Sequence, residues 1–567
     1  MNGITRILRG HWHILLIFFF ALFIRVFQLG SVPSAMHRDE LSIAYNAYSI
    51  LKTGKDEYGV PFPLSFKAFG EYKLPGMIYL TVPSIAMFGL TPFASRLPTA
   101  IIGSITVVFV YIFVLELFKR RKIAVFSSLF FAMDYWHIHG SRNIYEPVLQ
   151  LPLMLLFLFS LLRSQTNKKW LIVAYVSLIT SFFSYNSSLV IGIPLAVSGI
   201  AYNILLSKKV QAKQILIYLV FVFLIGISSV VMYFAFSGIN RSRENSFVFT
   251  ESSKQEVDEK ILFLRSKNTP ELRIKMFTNS ISQYQFSFLK SYLTAFDPTF
   301  LFISGDDNQW HNLEKLQLGN IQLLFFPLIV IGLVAYTRRN TPAGLLLFTI
   351  LLTSALAHGL TKNTPSINRL FEFATILDVY AGLGMYYLVV HYKKIAMGVL
   401  ALIFISTALF IHSYFMMYTH LLDGVWLPSF STAMLDLEEI NNKKNHPPMF
   451  ISKLASGSYI SYAFYTQLDP LILQRDAKRN EQTQFTQFLQ LNNFFFHEDV
   501  DHLFTSPEKI QEHFPQIDSV VYILSQHAPT ISSTLSSEIV KTYPNTYHNE
   551  SWKLYKLTFV PLDISSE

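Results

Sequence analysis

Cysteine is absent from the 567 residues, and charge is scarce. Without cysteine there are no disulfides, no thiolate metal ligands and no cysteine nucleophile. Asp, Glu, Lys and Arg make up only 15% of the chain, against about 25% in an ordinary soluble domain. So little charge excludes a typical cytosolic globular protein. A net charge of +9 would suggest nucleic acid on a soluble chain. Here the basic residues sit in short clusters between apolar runs, which is the pattern of membrane orientation, and no nucleic-acid partner is expected. No internal repeat is visible, and inverted repeats often mark secondary transporters. What the chain does have is apolar bulk: 51% of it is hydrophobic, with 52 Phe, and its mean hydropathy is +0.36.

A span needs about 20 mostly apolar residues. About eleven stretches qualify by that measure: 12–30, 94–118, 123–140, 144–162, 170–184, 188–206, 213–236, 320–337, 343–359, 368–390 and 395–417. The first is read as permanent, because its apolar run reaches Leu29 without a small-residue cleavage site. Placing Arg6 and Arg9 inside makes every inner loop basic: Lys119 to Lys122, Arg163 to Lys169, Lys208 to Lys213, Arg338-Arg339 and Lys393-Lys394. This satisfies the positive-inside rule at each turn and puts the N-terminus in the cytoplasm. The run 77–90 is too short to span and reads as an interfacial or re-entrant helix.

The expected architecture is an α-helical polytopic membrane domain over 1–420, with outer loops at 31–93 and 237–319. An extracytoplasmic α/β domain follows over 421–567, with strand-like runs at 449–452, 519–524 and 552–560. A multi-pass plasma membrane protein of a prokaryote fits this layout.

Ionisable groups are costly in a bilayer, so their clusters point to function. Here they collect at the outer ends of spans: His37-Arg38-Asp39-Glu40, Arg96, then Asp134, His137, His139, Arg142 and Glu146, and Arg369. Sugar transfer from a lipid phosphate passes through an oxocarbenium-like transition state. It needs one carboxylate to take the acceptor proton and a cation to meet the departing phosphate. Each group also has a plainer reading. Asp39-Glu40 suits a helix N-terminus. Arg96 could snorkel to the interface. Arg142 and Glu146 have the spacing of a helix ion pair. His37, His139 and His311 resemble surface or capping histidines more than metal ligands.

In combination and in order, these residues resemble the GT-C superfamily. Within it the likeness is to the protein O-mannosyltransferase-like family, which includes the lipid A aminoarabinose transferase type. Asp39-Glu40 after a proline-containing exit from the first span resembles the family's first-loop acidic motif. Lys73-Leu74-Pro75-Gly76 with Tyr79, then Phe88 to Pro98 with Arg96-Leu97-Pro98, resembles its loop helix and second span. Ser141-Arg142 with Glu146, the turn from Phe183 to Ser188, the segment from Phe296 to Phe302 followed by Gly305-Asp306 and His311, and Arg369 after Pro365 continue the match.

The resemblance implies an inverting transferase with a polyprenyl-phosphate sugar donor and a lipid, glycan or protein acceptor. Asp39 and Glu40 would be catalytic, Asp39 as the base. Arg96 and Arg142 would bind the donor phosphate. His37, Tyr72, Lys73, Glu146, Asp306, His311 and Arg369 would contact substrate. No cofactor and no metal ligand set is expected, a weak dependence on a divalent metal being the alternative. Glu146 stands where Asp is common, and Glu372-Phe373 where a proline-containing segment often follows. The other function readings are a lipid-linked glycan transporter, ligase or polymerase, and a non-catalytic membrane scaffold.

Overall fold

The structure is a computed structural model. It describes residues 2–69, 71–207, 211–236, 247–248, 251–266, 279–306, 313, 316, 318–337, 341–362, 364–418, 428–444, 446–452, 457–480, 487–497, 500, 502–505, 520–532, 535–544 and 551–559. His311 lies outside them.

The chain is mostly helical. Among the described residues six helices are long and apolar enough to cross a membrane: Pro92–Phe118, Ser187–Leu206, Ala212–Ala235, Pro342–Gly359, Phe371–His391 and Lys393–Met416. Shorter apolar helices cover Trp12–Val26, Pro75–Phe88, Pro147–Arg163, Trp170–Phe182 and Phe325–Tyr336. One expected span is broken. The stretch 123–140 forms two helices, Arg121–Met133 and Tyr135–Ser141, with Asp134 extended between them (φ −68°, ψ 131°). The Asp134 carboxylate accepts from the His137 backbone N–H at 3.3 Å. Aspartate favours this capping position over a helix interior, and the hydropathy of the run hides the interruption.

The contacts divide the chain into two compact units. The first joins Met1–Phe27 to Arg96–Met416. At its centre is Phe371–His391, 78% buried over its most apolar window, whereas Ala212–Ala235 is only 17% buried and turns Leu219, Phe223 and Phe234 outward. The outward face is apolar because lipid is its solvent. Two glycines let Phe325–Thr337 and Phe371–His391 cross at backbone distance. A Cβ on Gly332 would sit 2.0 Å from the Tyr380 carbonyl oxygen, and one on Gly384 would sit 2.0 Å from that of Leu328. Small residues at such crossings are how helices pack where no hydrophobic force drives them together.

The second unit joins Gln28–Ser95 to Met417–Glu567. The contact division thus groups the first loop with the tail rather than with the spans. The helix Arg38–Thr53 carries Tyr45, whose hydroxyl donates to Leu468 O at 3.0 Å. Gln474 Nε2 donates to Ser49 Oγ, Thr53 Oγ1 and Asp56 O at 2.8 to 3.1 Å.

A two-stranded piece, β1 (Phe66–Ala68) and β2 (Glu71–Lys73), pairs antiparallel. The tail holds a mixed seven-stranded sheet of β3 (Met449–Ser452), β4 (Ala477–Asn480), β5 (Gln487–Leu491), β6 (Phe494–His497), β7 (Val520–Ser525), β8 (Leu535–Tyr543) and β9 (Trp552–Phe559). Their order is β4-β5-β6-β3-β7-β9-β8, with β3 parallel to β6 and β7. Phe450, Phe495, Val521, Ile523, Tyr555 and Leu557 form one core beneath it. Three of these strands match the runs expected from sequence. β8 was not expected: it is an edge strand with exposed residues from Ser536 to Thr542, so burial imposes no pattern on it.

Candidate functional site

Asp39 lies in the first turn of Arg38–Thr53. His37 caps that helix in extended conformation (φ −66°, ψ 152°). Its Nδ1 accepts from the Asp39 N–H at 3.3 Å. Glu40 Oε2 accepts from the His37 N–H at 3.0 Å, closing a capping box. Glu40 is 1% exposed, and this bond commits it to the helix start. Asp39 differs. Its side chain is 35% exposed, and Lys73 Nζ, nearly buried on β2, donates to Oδ1 at 2.9 Å. His37 Nδ1 lies 3.5 Å from Oδ2.

Burial pushes the Asp39 carboxyl up, but the Lys73 ammonium, His37 and Arg38 outweigh burial and hold it below the ordinary carboxylate range. With a third of the side chain open, the charges decide. His37 is pushed down to about 4 by burial, against the pull of Asp39 and Glu40. At neutral pH the cluster therefore presents an ionised, partly open Asp39 fixed by a lysine. Tyr72 pairs with Lys67 across β1 and β2, beside Lys73.

The remaining expected residues belong to the first unit. Arg96 is fully buried near the start of Pro92–Phe118. Arg142 is fully buried too. Its Nη1 donates to Ile24 O at 2.7 Å, Phe27 O at 2.8 Å and Arg25 O at 3.2 Å. Its guanidinium lies 4.5 Å from the Phe415 ring centre. These bonds satisfy carbonyls left open at the end of Asn2–Val26. Glu146 takes the cap position of Pro147–Arg163, half-buried, with no side-chain cap bond.

Asp306 Oδ2 accepts from the Ile367 N–H at 2.9 Å, and Arg369 Nη1 donates to Thr361 Oγ1 at 3.0 Å. Asp306 thus fastens Ile367, and Arg369 fastens Thr361. The unit brings these two to the same stretch of chain.

Two further groups hold residues that sequence alone did not connect: the pair Gln150 and Glu372, and Asp378, which joins Asp134 and His137 of the cluster named above. Gln150 Nε2 donates to Glu372 Oε1 at 2.5 Å, while Ser187 Oγ donates to Gln150 Oε1 at 2.9 Å. Asp134, His137 and Asp378, all fully or nearly buried, place one ligand atom each within 4.8 Å of one another. Asp378 sits inside an apolar helix, and that cost alone is the signal that could have found it.

Residues 73–233 match the family described as dolichyl-phosphate-mannose-protein mannosyltransferase. The fold is like that of ArnT from Cupriavidus metallidurans in the apo state, with TM-score 0.54 and 12% identity over 97% of this chain and 98% of that one. Against ArnT bound to undecaprenyl phosphate the TM-score is 0.51, with 11% identity over 99% of both chains. The fold is GT-C. Archaeal oligosaccharyltransferase AglB from Archaeoglobus fulgidus, in complex with an inhibitory peptide and a dolichol-phosphate, is similar at TM-score 0.50 and 10% identity, covering 91% of this chain and 70% of that one. No curated protein matches the sequence. The GT-C fold accounts for the helical membrane unit and the C-terminal sheet domain together.

Proposed function

We propose that this GT-C protein transfers a sugar from a polyprenyl-phosphate carrier to an acceptor hydroxyl on the outer face of the membrane. The observation that carries the reading is Asp39, ionised by Lys73 and partly open, while its neighbour Glu40 is bound into the helix cap. The match over 73–233 and the likeness to chains solved with dolichol-phosphate and undecaprenyl phosphate support the donor class.

In this reaction the acceptor oxygen bonds to the anomeric carbon as the bond from that carbon to the phosphate oxygen breaks. The acceptor proton passes to Asp39, and the polyprenyl phosphate leaves with the bonding electron pair. One displacement inverts the anomeric centre and needs no covalent nucleophile. Arg96, assisted by Arg142, holds the donor phosphate. Tyr72, Glu146, Asp306 and Arg369 shape the substrate sites, and the base step needs no metal. The acceptor is a lipid, a glycan or a protein.

Purified wild type and Asp39→Asn, supplied with a panel of radiolabelled polyprenyl-phosphate sugars and a membrane extract as acceptor, test this. Transfer by wild type that falls at least about 100-fold in Asp39→Asn is expected from loss of a general base. Undiminished transfer in Asp39→Asn would reject the base. No transfer by wild type from any donor would favour a transporter or scaffold.

A further inference from the structure

We propose that Asp134, His137 and Asp378 bind a divalent first-row metal ion, tested here as Zn²⁺ or Mn²⁺, inside the membrane unit. Two carboxylates and one imidazole are an oxygen-rich borderline donor set that suits these ions. His137 Nε2 lies 3.7 Å from Asp378 Oδ2 and 4.0 Å from Asp134 Oδ2. Ligand atoms about 2.1 Å from a tetrahedral ion lie about 3.4 Å apart, so small side-chain adjustments close the site.

A second observation points to a ligand. Both Asp378 carboxylate oxygens and Asp134 Oδ1 have no hydrogen-bond partner among the described residues, and both side chains are fully buried. An uncompensated carboxylate in that setting costs several kcal/mol, on the order of the penalty for any buried ion. A cation removes that cost.

The surrounding contacts are compatible with this. Thr375 Oγ1 lies 3.2 Å from His137 Nε2, but its own proton goes to Phe371 O at 2.8 Å. It can yield the nitrogen to a metal and keep that bond. Phe131 packs on the imidazole at 4.2 Å between ring centres and Phe371 at 5.6 Å, which restricts its rotation. The buried Arg25 donates Nη1 to Ala21 O and Ala132 O at 3.3 and 3.4 Å, and its charge attracts Asp134 without an ion pair inside 4.0 Å among the described residues, so the carboxylate left uncompensated is that of Asp378.

The fold explains the position. Asp134 forms the break between Arg121–Met133 and Tyr135–Ser141, His137 lies in the first turn of the second of these, and Asp378 comes from Phe371–His391. The ion would fasten the broken span to the central helix. Its role is structural, separate from the Asp39 chemistry.

Elemental analysis of the full chain, purified in detergent without metal-affinity resin after growth with Zn²⁺ or Mn²⁺, reads the site directly. About one equivalent is expected in wild type and in Asp39→Asn, with a drop of at least tenfold in Asp378→Asn and His137→Ala. Metal retained in Asp378→Asn would overturn the proposal. Should the variants fail to fold, wild type decides alone. One equivalent that a chelator removes with a fall in melting temperature, restored by Zn²⁺ or Mn²⁺, supports the site. Less than about a tenth of an equivalent after equilibration with both ions rejects it. Sugar transfer is not the readout, so failure here leaves the transferase reading intact.

Discussion

Lys73 sets the charge of Asp39, so its removal should appear in a pH profile before it appears in stability. In the proposed reaction Asp39 serves as base only when ionised, so activity should fall as pH drops through its pKa. Lys73 holds that pKa low. In Lys73→Met the acid limb of kcat/KM should move up by about one to two pH units. An unchanged limb would separate Lys73 from the base.

Glu57 is a second testable residue. Burial, opposed by Arg479 and by Asn46, pushes its carboxyl up to about 7. Its folded pKa is raised, so the stability it contributes is complete below its ordinary value of 4.5 and is lost as pH rises through about 7. The melting temperature should therefore decline between about pH 5 and 8, and Glu57→Gln should flatten that decline. The acidic pair at 39–40 was legible in the sequence, and the helix cap that takes up Glu40 was legible as the plainer reading of that pair. The capping histidine was legible only as one alternative. Lys73 as partner was not, since 34 residues separate it from Asp39 and only the β1–β2 hairpin brings it near.

Between elements, the tightest feature is the crossing of Phe325–Thr337 with Phe371–His391. Both glycines there face backbone oxygens, which cannot swing aside as a side chain can. Gly384→Ala should cost about 1–3 kcal/mol, typical of overpacking. Gly226→Ala is the control: nothing lies within 4 Å of its Cβ position, so stability should hold or rise slightly. Melting in detergent compares them, and equal behaviour would mean the helices separate at little cost. Hydropathy revealed these helices but not which are central. It read 368–390 and 395–417 alike, yet 78% of one window is buried and 22% of the other. Asp134 illustrates the same limit, because an apolar average passes over a single capping residue that bends the chain.

Across the whole molecule, the orientation expected from the basic loops is tested by labelling. The chain has no cysteine, so Glu538→Cys, 73% exposed on β8, provides a single thiol. An impermeant maleimide should label it from outside intact cells. Protection until the membrane is opened would invert the topology.

The second unit is assembled from two segments of chain separated by about 320 residues. Its first segment leaves the ribosome long before its last. At roughly 5–20 residues per second, the interval is about 15 to 65 seconds. During that time Tyr45 has no Leu468 and Glu57 has no Arg479. The loop bearing Asp39 therefore waits, half-built, while the spans insert. A nascent chain halted before residue 417 would carry Asp39, the proposed base, without the sheet domain that completes its scaffold.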